Sequence, residues 1–143
     1  MYKQPMQDEF DSCLVLNTRM AARAVTRRAD RKLRPFGVTA AQFTILVSLL
    51  SRPGRSVTEI ANGIAMDRTT LSRNLDLLTR KGIVVAEHAE RGNGRLCSLS
   101  AEGRALVEQM VPVWRAAQAE LRETLNKPDF PTVIAALRHL AKL

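Results

Sequence analysis

Several things are scarce in this chain of 143 residues, and each scarcity closes off a class of protein. Aromatic side chains make up only 4%, as four Phe, one Tyr and one Trp. No window approaches the roughly 18 continuous apolar residues that a bilayer crossing requires. The start, MYKQPMQDEF, has neither an apolar core nor a small-residue cleavage site, so no secretory signal is expected. The two cysteines, Cys13 and Cys97, are far apart and outside any C-x-x-C, which argues for free thiols in a reducing cytoplasm. The two histidines, His88 and His139, do not stand at metal-ligand spacing from either cysteine. Neither a Ser/His/Asp set, a paired-carboxylate motif, nor a glycine-rich phosphate loop is apparent, so no enzyme and no cofactor are expected.

What is abundant is positive charge. Twenty-two Lys and Arg against fourteen Asp and Glu leave a net charge of +8. Such a balance favours a polyanionic partner, with nucleic acid ahead of an acidic membrane surface. A hydrophobic content of 45% with 25% charged residues fits a folded chain rather than a disordered one, long enough for one domain with a true core.

Residues 56–82, SVTEIANGIAMDRTTLSRNLDLLTRKG, read as two short helices joined by a tight turn. Ser56 and Glu59 have the spacing of a capping box, and Asp67 is placed to cap the second helix. Gly82 follows a basic last turn, as a helix-ending glycine does. Leu71, Leu75 and Leu78 recur along one side of the second helix, while Thr69, Arg73, Asp76 and Arg80 fall opposite. A helix pinned by leucines and presenting hydroxyls and guanidiniums suits the DNA major groove. There a forked Arg meets guanine O6 and N7, and short hydroxyls meet base edges or phosphates.

The rest of the chain has a consistent order. Residues 8–34 read as one long basic helix, ended by Pro35 and Gly37. Its side formed by Phe10, Leu14, Met20, Ala21, Ala24 and Leu33 is too long for a small chain to cover alone, and implies an external partner. Thr39 and Gln42 form a second capping box, opening a core helix to about Leu50. Two β-leaning runs, 83–87 and 96–99, flank a Gly- and Asn-containing loop and read as a hairpin. Ser100 caps another long helix reaching about Asn126, which Pro112 should kink unless accommodated. A last helix covers 131–142. A helix-turn-helix followed by a hairpin is a winged helix-turn-helix, so the fold class is mainly α with a small β-hairpin wing. The single domain, 1–143, divides into a DNA-binding lobe (38–99) and dimerisation helices (8–36 and 100–143).

Three segments, LRPFGVTAAQFTIL (33–46), SVTEIANGIAMDRTTLSRNLDLLTRKGIV (56–84) and LSAEGRAL (99–106), carry a resemblance to the MarR family of bacterial transcription regulators over nearly the whole chain. The resemblance implies homodimers that bind short palindromes, usually as repressors. It also implies release by a small aromatic or lipophilic acid held in a crevice between the two layers. The partners expected are therefore double-stranded DNA, a second copy of the chain and a small-molecule effector, without a membrane.

On this reading Arg73 contacts bases or phosphates. Thr69, Thr70 and Ser72 make phosphate or mixed contacts that position the helix. Arg68 lies at the phosphate-facing edge, and Arg55 is a backbone-contact candidate. Asp76 orients Arg73 or Arg80. The family's wing usually carries Asp-x-Arg, whereas this chain has Glu90-Arg91-Gly92-Asn93-Gly94-Arg95; Arg91 and Arg95 are therefore alternatives for a minor-groove arginine. Peroxide-sensing members use a first-helix cysteine. Cys13 falls about two residues early, and Arg27 and Ala40 stand near the places of the assisting tyrosines, so a redox role is not expected. Cys97 is expected in the core, and Trp114 in the core or the crevice, with the core favoured. Asn17, Arg19 and Arg23 are candidates for an anion, but no effector residues are assigned. The competing readings are a non-specific architectural DNA-binding protein, a thiol-based redox regulator, and a winged helix used for protein contacts alone.

Overall fold

A computed structural model of the chain describes residues 5–90 and 94–143. The order is α1 (Pro5–Asp11), α2 (Leu14–Leu33), a 3₁₀ turn (Arg34–Phe36), α3 (Ala40–Ser51), β1 (Arg55–Ser56), α4 (Val57–Ile64) and α5 (Arg68–Arg80). It continues with β2 (Val84–His88), β3 (Arg95–Leu99), α6 (Ala101–Thr124) and α7 (Phe130–Leu140). This is the mainly α, winged arrangement that the sequence predicts.

The expected start and stop signals hold in atomic detail. Thr39 and Ser56 each cap their helix reciprocally with Gln42 and Glu59. Asp67 accepts the Thr70 N–H at 2.8 Å, and Ser100 accepts that of Gly103 at 3.0 Å. Gly82 adopts φ +74°, a left-handed conformation that lets the chain leave α5 and enter the wing without a Cβ clash. Pro131 sits in the first turn of α7, where its missing N–H costs nothing. Pro112 lies exposed within α6, which continues through it.

The first expected helix is instead two. Cys13 is extended, with φ −65° and ψ 125°, and the Asn17 amide donates to the carbonyls of both Asp11 (2.9 Å) and Cys13 (2.8 Å). The Asn17 side chain thus satisfies the Asp11 carbonyl, which a continuous helix would have engaged through a backbone N–H, and the break becomes favourable. The wing also has a third strand. Arg55 and Ser56 pair antiparallel with Cys97 and Leu96, so the sheet order is β1-β3-β2. A two-residue strand has no periodicity to betray it.

The core joins α3, α4, α5, the sheet and the first half of α6. Ile45, Leu46, Ile60, Leu71, Leu75, Leu78, Val107 and Met110 are fully buried. Cys97 is among them, as expected, and burial pushes its thiol pKa up. By contrast α7 contributes no buried residue, and Phe10, Leu14, Met20 and Leu137 are each more than half exposed. Ala21 and Ala24 are exposed too; of the side assigned to the first long helix, only Leu33 is buried within the chain.

Candidate nucleic-acid interface

The leucines of α5 decide what its other face can do. With Leu71, Leu75 and Leu78 at zero exposure, the helix cannot rotate without exposing apolar surface, at about 25 cal/mol per Å². Arg68, Thr69, Thr70 and Arg73 are consequently held exposed, and Ser72 half-buried. A polar tie fixes the helix further. Gln42, only 5% exposed, donates to Asn74 Oδ1 at 3.2 Å, and Asn74 donates in turn to the Thr70 carbonyl at 3.0 Å. Removing one partner would leave a buried amide unsatisfied, a cost of about 1–3 kcal/mol. Asn74 was not singled out from sequence. Its signal is the i, i+4 relation to Thr70 on the flank between the leucines and the arginines.

Thr70 serves the cap as well as the surface. Its hydroxyl donates to Asp67 Oδ2 at 2.7 Å, and that bond is the largest cause holding the Asp67 carboxyl below its ordinary pKa. With its proton so committed, Thr70 offers lone pairs rather than a donor to a phosphate. The Thr69 hydroxyl has no such partner among the described residues.

Two expected roles are revised by the geometry. Asp76 orients neither Arg73 nor Arg80; it accepts from Arg95 Nη1 at 2.6 Å, tying α5 to β3. Arg95 thereby stands over α5 at the loop end of the hairpin. Arg55 turns inward, donating to Ser48 Oγ at 2.8 Å and to the Glu59 carbonyl at 3.0 Å. It clasps α3 to α4 over Gly63, where a Cβ would meet its Nη2 at 2.7 Å. Two of its donors are therefore engaged inside the lobe rather than offered to a backbone phosphate. Arg91 lies outside the described residues.

A second concavity, of about 690 Å³, opens between the layers. Phe43, Val47, Leu50, Ile64, Trp114 and Leu121 give it mostly apolar walls. Trp114 is thus a crevice residue, 43% exposed, and not core. Arg28 and Lys32 stand at its edge, both bonded to Glu120 of α6, with Lys32 Nζ 3.1 Å from each carboxylate oxygen. The Lys32 hydrogen bond, ahead of its charge, holds the Glu120 carboxyl below its ordinary range. Asn17, Arg19 and Arg23 do not line this space. Cys13 is half-buried at the α1–α2 break.

Comparison with known proteins places this geometry. A MarR family model matches residues 36–96, which span α3 to β3. The HTH-type transcriptional repressor Rv2887 of Mycobacterium tuberculosis is 34% identical over 99 residues, covering 68% of this chain and 70% of that protein. The M. tuberculosis transcriptional regulator MosR, solved in complex with DNA, superposes with a TM-score of 0.83 at 35% identity. The match covers 91% of this chain and 94% of that one. A mutant of E. coli MarR complexed with operator DNA gives 0.79 at 27% identity, covering 89% and 92%.

Proposed function

We propose, from the premise that this chain belongs to the MarR family of DNA-binding transcription regulators and is not an enzyme, that it represses transcription as a homodimer on a palindromic operator. The observation that carries the reading is the exposed face of α5. Arg68, Thr69, Ser72 and Arg73 are held there by a leucine seam and a buried amide tie, at the width a major groove admits. Arg73 reads bases, while Arg68, Thr69 and Ser72 position the helix on phosphates. The DNA-binding lobe spans 38–99, and the helices of 8–36 and 100–143 bring two copies together. Support for the dimer is the uncovered apolar surface of α1, α2 and α7, which a lone chain would leave in water. The protein works in the cytoplasm, where DNA is and where Cys13 and Cys97 stay reduced.

The crevice between the layers supports release by a small lipophilic acid. An aromatic carboxylate with its ring against Phe43 and Trp114 would compete with Glu120 for Arg28 and Lys32, and so strain the α2–α6 contact. The acid is the effector class; its identity is set by shape.

Selection of bound duplexes from a random pool tests the main reading. The expected result is an inverted repeat with half-site centres about 10 bp apart, one helical turn. A footprint over a single major groove would overturn the dimer. A specificity ratio near one against random DNA would favour an architectural protein instead.

A further inference from the structure

Between the wing and the reading helix lies a recess of about 360 Å³. Ser56 and Thr58 at the start of α4, Arg68 and Ser72 on α5, and His88 and Arg95 on the wing strands line it. None of its described lining residues is a carboxylate. His88 is directly across from Arg95 in the β2–β3 register. Both His88 and Arg68 are exposed, and neither has a side-chain partner among the described residues. Protonating His88 would set two like charges opposite each other on adjacent strands, which is unfavourable unless an anion joins them.

We propose that this recess seats a phosphate of the duplex DNA backbone and that His88 is its proton-linked contact. The inference rests on the DNA-binding reading and adds a site to it. A neutral imidazole offers one donor, whereas an imidazolium offers two donors and a charge. The groups facing His88 are few. From β3 comes Arg95, whose charge is partly answered by Asp76 of α5. From α5 itself comes Arg68. From α4 come the Ser56 and Thr58 hydroxyls, while Glu59 is drawn back to the Ser56 N–H in its capping box. Glu87 precedes His88 on β2 and Glu90 follows it; neither lines the recess. A phosphate seated among these donors stabilises the protonated form, so binding takes up a proton. The added affinity is present while His88 carries the proton and is lost as rising pH removes it.

Because a phosphate contact carries no sequence information, a random-sequence duplex serves as the probe, with affinity read by fluorescence anisotropy across a salt series. From about pH 6 to about pH 8 the parent should lose affinity, and its slope of log affinity against log salt should flatten by up to ~0.9 per reading head. His88→Gln should show neither change and should match the parent at the higher pH. His139→Gln, at the only other histidine, should keep both changes. A parent whose affinity and salt slope ignore pH overturns the proposal. So does a pH effect that survives His88→Gln or vanishes in His139→Gln. Absence of salt-dependent DNA affinity at either pH would instead overturn the DNA-binding reading beneath it.

Discussion

Gly103 is where the connecting helix α6 meets the root of the wing, and Gly103→Ala should loosen that junction. A Cβ built there would lie 2.1 Å from the Ile83 carbonyl oxygen, 3.0 Å from its carbon and 3.2 Å from Ile83 Cγ2. The first contact is about 1.3 Å short of ordinary van der Waals distance, and backbone cannot swing aside as a lysine tip can. The same carbonyl accepts the Ser100 N–H at 3.0 Å, and the Ser100 hydroxyl donates to the Ile83 and Gly82 carbonyls. Moving α6 away therefore strains the Ser100 cap along with the packing of Val107 and Met110. Overpacking against backbone costs about 1–3 kcal/mol, and weakening one or two hydrogen bonds adds about 1 kcal/mol. The expected sum, about 2–4 kcal/mol, is a large share of the ~5–15 kcal/mol that holds a domain together. At this chain length it corresponds to a fall in Tm on the order of 10 °C. Thermal unfolding followed by circular dichroism, at fixed protein concentration because association would shift the midpoint, is the assay. A midpoint within about 2 °C of the parent would mean that α6 is not seated on the wing root as described, since that is below the shift from a single kcal/mol.

Three further outcomes follow from the interface. Arg73→Ala should cost about 1–3 kcal/mol per reading head and relax sequence preference; binding of operator and random DNA like the parent would show that the wrong face of α5 was assigned. Arg95→Ala should weaken binding evenly across sequences, because its Asp76 tie places it over α5, while Arg91→Ala should lower preference for A·T pairs flanking the half-sites. Equal affinity of both variants and the parent at moderate salt would remove the wing from the groove. Cys13→Ser should leave DNA binding intact, and organic hydroperoxide should leave the complex in place. Reversible dissociation that disappears in the serine variant would make the protein a redox switch.

Much of the fold was legible in the chain because its signals are local. Capping pairs at Thr39 and Ser56, the leucine repeat of α5, and glycine at position 82 each act within a few residues, so spacing alone announces them. The exposed placement of Thr69, Arg73, Asp76 and Arg80 followed from the same repeat, since burying one side of a helix determines which side remains. What depended on where a particular side chain reaches could not be read this way. The break at Cys13 needed the reach of Asn17 to two carbonyls. The inward turn of Arg55 needed Ser48 and the space above Gly63. The pairing of Asp76 with Arg95 across nineteen positions needed the wing to fold onto α5. Charge and periodicity determined by themselves that a helix would face outward with arginines. Only the tertiary structure decided which of those arginines are engaged by neighbours and which stay open, because a guanidinium's partners are set by whatever the fold brings within about 3 Å of it.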